Sequence, residues 1–574
     1  MSSEERSAVL SSSALMATGT VFSRISGYLR NILLAAALGN LLHADVFTIA
    51  NTVPNMIYIL LAGGIFNAVL VPQLVRAMQN DPDGGEAYTN RVITLAALFL
   101  VAVSVLLVVC APWVMRLYLD PQFYTAEYDE QRQSVINFAR YCLPQVFFYG
   151  MFVLVGQILN SRRRFGPMMW APIANNAVSI AVLLVYLFVF GPARGDQLRG
   201  GYEPSQELLL GLGSTFGIAV QFLILLPYLK AAGFSYRPRF DFRDTGLGHT
   251  LRLGAWTLGF VIVNQIAYTV VVRLASSGTL VDFADGGDSA TGYTVYAGAY
   301  LLMMAPHAVV TVSLATAILP RLSASAAGGE MDGVRRTLSG TLRTALAFIV
   351  PAGVLLPLLA YDIAEIVWGY GAASLTASNY APTLGLFGPA LVLFTVHYMM
   401  LRGFFALERN RTAFWVQCVI ATANVSLALI LVPRASIAGT APALAVAWGG
   451  AYLIGACVSY LVLRRLVGGL ETGRLLLFLV RLVPVAVLAV AVGWMAARGL
   501  DSLIDTHLPD AAIAAGKPAS LLVLVTTTMV AGIAYLLLAR IARIREVSEI
   551  GALVTRRLPG RRRSRSDRGS GVPE

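Results

Sequence analysis

Charge is what this chain is short of. Lys, Arg, Asp and Glu make up 13% of 574 residues, about half the share a soluble domain carries. A water-exposed surface cannot be covered with so few charges, so a soluble globular protein is excluded and a bilayer is implied. Cysteine is scarce too. The four present, Cys110, Cys142, Cys418 and Cys457, share no close spacing, which excludes C-x-x-C redox and metal motifs. No P-loop, H-E-x-x-H or G-x-S-x-G appears. No stretch outside the apolar runs is long enough for a nucleotide-binding domain, so ATP-driven transport by this chain alone and metallohydrolase chemistry are not expected.

What is present is hydrophobic sequence, 57% of the chain, arranged in long runs. A helix needs about 20 apolar residues to cross the hydrocarbon. By that measure the sequence predicts fourteen spans, the first over 8–38 and the second over 45–75. The predicted fold is an all-α polytopic membrane protein. The run after Met1 is too long for a signal-peptide core and is read as a retained first span.

The net charge of +12 is distributed by topology. Loops after even-numbered spans hold about 20 Lys and Arg, and loops after odd-numbered spans about seven. Ten more fall between Arg540 and Arg568. This bias places both termini in the cytoplasm. It assigns the basic tail to anionic lipid headgroups rather than to nucleic acid.

Two local patterns recur about 247 residues, or six spans, apart. Pro72 near the end of span two is echoed by Pro320 at the end of span eight. Gly156 to Asn160 followed by Arg162 is echoed by Gly403 to Leu407 followed by Arg409. Six is an even number, so the two halves share one orientation and form a parallel repeat. The expected organisation is a first lobe over 1–245, a second over 246–466, two added helices over 467–545 and a disordered basic tail over 546–574.

Arg24 and Arg30 stand inside the first span, where a charge costs at least ~3 kcal/mol. Such residues normally face a wet cavity, where they bind anions. The two are about 120° apart around the helix and flank a small polar face containing Ser23, Ser26 and Gly27. The bland alternative has Arg30 snorkelling to the membrane surface. Arg273, near the end of span seven, is either their counterpart or an interfacial anchor. Pro54, with Asn51 and Asn55 beside it and Gly64 further on, bends span two into a gate or a binding wall, or only for packing. Asp45 opens span two, where it either favours the helix dipole or pairs with a first-span arginine. His307, His397 and Arg402 are read as structural.

The segment Phe22 to Arg30, then Ala44-Asp45-Val46-Phe47, Val53-Pro54-Asn55, Gly64 and Val71-Pro72 resembles the opening of the MurJ (MviN) lipid II flippases. Ala317 to Pro320 and Arg402 to Ala406 fit as well. These proteins belong to the multidrug/oligosaccharidyl-lipid/polysaccharide exporter superfamily. The resemblance implies a bacterial inner-membrane flippase with no cofactor, coupled to membrane potential or to an ion gradient. It implies two six-helix lobes around a cationic cavity, and a groove for a polyprenyl tail on the last two helices. The implied cargo is an undecaprenyl-diphosphate-linked disaccharide-peptide. Arg24 and Arg30 would hold its diphosphate, and Asp45 matches the first-loop aspartate of the family. Cell-wall synthesis or regulatory proteins are implied partners.

The chain departs from the pattern in two places. Tyr58, Ile59 and Gly63 stand where many members carry two arginines and a glutamate, and Leu301 and Met304 replace a further arginine and glutamate. Three rivals follow from the residues themselves. A drug/cation antiporter needs mid-span carboxylates, which the first lobe lacks. A flippase for another lipid-linked glycan fits the same cations. A membrane enzyme needs clustered loop carboxylates or histidines, and none is found.

Overall fold

A computed structural model of the chain describes residues 3–60, 83, 85–162, 164, 166–241, 247–280, 287–507 and 517–547. All regular elements among them are helical. The first lobe comprises α1 (Ser3–Leu38), α2 (Leu42–Ile59), α3 (Glu86–Val109), α4 (Ala111–Tyr118), α5 (Asp129–Cys142), α6 (Gln145–Ser161), α7 (Gly166–Val189), α8 (Pro204–Leu223) and α9 (Leu225–Ala231). The second comprises α10 (Leu247–Ser276), α11 (Tyr293–Pro306), α12 (Ser313–Ala327), α13 (Met331–Trp368), α14 (Tyr380–Ala406), α15 (Asn410–Leu431) and α16 (Thr440–Val467). The chain then adds α17 (Thr472–His507) and α18 (Lys517–Ile541).

Twelve described helical segments of 24 to 38 residues are apolar and long enough to cross a membrane. The first two of the fourteen expected spans fall on α1 and α2, which are helical and are not among those twelve. Some crossings are built from two pieces. Pro144 separates α5 from α6, and Pro306 precedes a π turn over His307–Val312 that links α11 to α12. A proline supplies no N–H, so the hydrogen-bond register shifts where it stands. The continuation of α2, with Gly64 and Pro72, lies outside the described residues, as does the tail from 548.

The repeat is visible in the packing. In the first lobe α1 packs on α7, α7 on α8, α2 on α5, α3 on α6 and α6 on α8. In the second lobe α10 packs on α15, α15 on α16, α11 on α14, α13 on α14 and α14 on α16. These are the same crossings displaced by six. The α13–α14 seam is tight because glycines meet there. A Cβ on Gly388 would stand 2.5 Å from the Gly353 carbonyl oxygen, so only glycine lets the two backbones approach this closely.

The last two helices pack on each other and on α13. Arg343 of α13 anchors them, 3.7 Å from Glu471 and 3.5 Å from Glu546. Their outward faces, including Val480 and Leu488 of α17 and Met529 and Ile533 of α18, are exposed, as lipid-facing surfaces are in a bilayer.

Candidate functional site

Two cavities occupy the interior, and α2 forms a wall of each. Asn51 and Thr48 face the first, Asn55 and Met56 the second, and Thr52 borders both.

The first cavity, about 240 Å³, lies between the lobes. Its first-lobe wall includes Arg30, Asn31, Asn51, Gln145, Tyr149 and Asn175, and Gly298 and Leu301 contribute from the second lobe. Arg30 is half-buried on this wall, and no carboxylate pairs with it among the described residues. A guanidinium in a pocket without a counter-ion has the chemistry to accept an anion.

Arg24 is exposed and does not line the cavity itself. It stands seven residues before Asn31, so the two share a helix face about 10 Å apart. The exposed apolar stripe of Phe22, Ile25 and Leu29 points another way. Of the two first-span arginines, Arg30 lines the cavity and Arg24 does not. Ser23 and Gly27 form the α1–α7 seam. Asn176 Nδ2 donates to the Ser23 carbonyl oxygen at 3.0 Å and to Ser26 Oγ at 2.9 Å, and a Cβ on Gly27 would lie 3.7 Å from it.

Other expected residues lie elsewhere. Asn55 lines the second cavity, not the first. Pro54 is buried inside α2. Arg273 lines neither cavity; its Nη1 donates to the Arg116 carbonyl oxygen at 3.3 Å, bridging the lobes at the end of the bundle. Position near a helix end, not in the middle, explains why it anchors rather than lines. Gly64 lies outside the described residues.

Asp45 is fully buried and pairs with no arginine. Its Oδ2 accepts from Thr279 Oγ1 at 2.9 Å and from the Tyr293 N–H at 3.1 Å, and its Oδ1 from the Thr294 N–H at 2.7 Å. A first-lobe carboxylate therefore caps α11 of the second lobe, where helix N–H groups lack intrahelical partners. Asp45 stands in the first turn of its own helix, α2, as the dipole reading has it, and its carboxylate also caps α11. Around it, Asn40 and Thr376 exchange two hydrogen bonds of 2.8 and 2.6 Å, and the Asp120 N–H donates to Ser276 Oγ at 2.8 Å. The lobes are closed against each other at this end.

The second cavity, about 520 Å³, belongs mostly to the second lobe. Aromatic rings (Tyr268, Tyr300, Phe394, Trp448) and carboxamides (Asn264, Gln417, Asn424) line it, and among the described residues no Lys, Arg, Asp or Glu does. Gln417 Nε2 donates to Asn264 Oδ1 at 2.7 Å, while Asn424 Oδ1 is buried without a partner. Such a surface takes an uncharged ligand with polar groups and flat apolar faces.

The family model of the lipid II flippase MurJ matches residues 34–506. The chain belongs to the MurJ family. A probable lipid II flippase MurJ of Rhizobium meliloti is 27% identical over 447 residues, 77% of this chain and 79% of that protein. A lipid II flippase MurJ of Burkholderia cenocepacia is 25% identical over 404 residues, 68% of this chain and 72% of that one. Among solved structures, a lipid II flippase MurJ in an inward closed conformation covers 92% of this chain and 99% of its own, with a TM-score of 0.69 at 17% identity. An inward-facing MATE transporter of the MOP superfamily gives a TM-score of 0.58 at 15% identity, covering 78% and 96%. The MATE fold is shared, but this member of the MurJ family places an arginine, not a carboxylate, on its first-lobe cavity.

Sequence reasoning found Arg30 and the α2 amides Asn51 and Asn55, and missed amides and rings that other helices bring to the two cavities. Gln145, Tyr149, Asn175, Gln417 and Asn424 are all polar interruptions in apolar spans, and that was the available signal. Which of them converge depends on helix rotation, which one sequence does not give.

Proposed function

We propose that the chain is a transporter that flips lipid II, the undecaprenyl-diphosphate-linked precursor of peptidoglycan, by alternating access. One observation carries this reading: Arg30, without a carboxylate partner, lines a cavity between two lobes closed at the Asp45 end. The diphosphate sits against Arg30 after passing Arg24. The uncharged sugars and peptide take the aromatic, amide-lined cavity across α2. Without such a shield the diphosphate would have to enter hydrocarbon uncompensated, which costs many kcal/mol.

The excess of Lys and Arg in even-numbered loops puts both termini in the cytoplasm of a bacterial inner membrane and the Asp45 end outside. In that orientation the cavity is loaded from the cytoplasm. Membrane potential, negative inside, favours outward movement of the anion by about 2.3 kcal/mol per charge per 100 mV. The basic tail contacts anionic headgroups, and the exposed faces of α17 and α18 receive the polyprenyl chain.

Depletion of the protein in its host tests this. Lipid II is expected to accumulate in the inner leaflet and to be cleared by the wild-type chain but not by Arg30→Ala. Accumulation of a different lipid-linked glycan would move the cargo assignment to that glycan.

A further inference from the structure

Among the described residues Arg30 is the one cation on the first cavity, and neutral donors surround it. We infer that Tyr149 and Asn51, positioned by Tyr58 and Gln145, complete the anion site with uncharged hydrogen-bond donors. The inference rests on the flippase reading and names further cargo-binding residues within it.

Tyr149 lines the same cavity as Arg30. It is half-buried, and its ring stacks on Tyr58 with centroids 4.6 Å apart and planes 27° from parallel. Tyr58 supplies no charge, but it fixes the ring that carries the next donor. A stacked ring has few alternative rotamers, so its hydroxyl stays where it is placed.

Asn51 is oriented by a different partner. Gln145, only 2% exposed, donates from Nε2 to Asn51 Oδ1 at 3.0 Å. With its oxygen held, the Asn51 NH2 group is left to face the cavity as a donor of up to two bonds. Asn31 is held differently. One N–H of its Nδ2 is taken by the Gly27 carbonyl oxygen at 3.0 Å, which leaves it at most one N–H for the cavity. The site therefore takes phosphate oxygens through one guanidinium, one phenol and one carboxamide. In a low-dielectric cavity such neutral donors are worth more than in water.

The test measures binding of undecaprenyl diphosphate to the full chain in nanodiscs across a range of salt concentrations. Tyr149→Phe removes one hydroxyl and keeps the stacked ring. It is expected to weaken binding about tenfold, the range for a hydrogen bond to a charged group, with unchanged salt dependence and an unchanged thermal midpoint. Arg30→Ala is expected to weaken binding and to flatten the salt dependence, because it removes the charge. Asn51→Leu and Gln145→Leu are expected to cost similar factors, and the double variant no more than either alone, as for two residues acting through one donor. Wild-type affinity in Tyr149→Phe and Asn51→Leu, or losses that only track a lowered thermal midpoint, would overturn the inference and leave the flippase reading intact. Failure of the wild-type chain to bind the diphosphate lipid would overturn both.

Discussion

Asp45 and Thr294 stand on different lobes, 249 residues apart, and are joined by a 2.7 Å hydrogen bond from the Thr294 N–H to the Asp45 carboxylate. The same carboxylate takes the Tyr293 N–H and the Thr279 hydroxyl. One side chain thus closes the bundle end and satisfies the start of α11. Asp45→Ala leaves three buried donors without an acceptor, each costing roughly 1–3 kcal/mol where water cannot enter. The closed end is expected to lose at least about 3 kcal/mol. Labelling of a cysteine introduced at Thr279 by a membrane-impermeant maleimide reads this; the rate should rise in Asp45→Ala and only partly in Asp45→Asn, which keeps an acceptor.

Gly292 permits that contact. A Cβ there would lie 2.0 Å from Asp45 Oδ2, closer than any real contact. Gly292→Ala is expected to reproduce the labelling gain of Asp45→Ala. Because both changes break one latch, the double variant should show little beyond either single change.

Arg30 calls for a guanidinium, not merely a positive charge. A guanidinium presents a planar fork to two phosphate oxygens, whereas an ammonium is a point charge. Arg30→Lys is expected to lower transport about tenfold and Arg30→Ala to abolish it, with membrane insertion intact. Arg24→Ala is expected to abolish transport as well, by removing the cation at the approach. Transport in reconstituted vesicles, normalised to inserted protein, checks all three.

Arg343 ties the added helices to the second lobe through Glu471 and Glu546, with all three side chains about one-fifth exposed. Arg343→Leu leaves Glu546 without that partner, while Glu471 keeps Arg474 at 2.7 Å. A loss of roughly 1–2 kcal/mol is expected, confined to α17 and α18. Hydrogen exchange should rise in those two helices and stay unchanged in α1 through α9.

Much of the architecture was legible because the bilayer leaves few choices. Apolar runs of fixed length must be helices, since no water is there to satisfy an open backbone. The repeat was legible for a related reason, since the two lobes keep the same helix crossings. The site was legible only in part. Arg24 and Arg30 announced themselves because an arginine in hydrocarbon needs a reason. Neither role open to Asp45 in the sequence, its own helix dipole or a first-span arginine, includes its partner Thr294, which is remote in the chain. Arg273 stays open between cavity and anchor in the sequence, which gives depth along a helix but not the direction in which its end leans.

The sequence by itself determined that this protein lives in a membrane as a helical bundle with unusual cations in its first span. It did so because burying a charge or an unpaired backbone in lipid is too costly to occur by accident. Only the tertiary structure decided that Arg30 faces Tyr149 and Asn51, that Asn55 serves a separate uncharged cavity, and that Asp45 latches the lobes. Those outcomes depend on how each helix is rotated and tilted against its neighbours. Packing between surfaces distant in the chain sets that rotation, and the spacing of residues along one helix does not encode it.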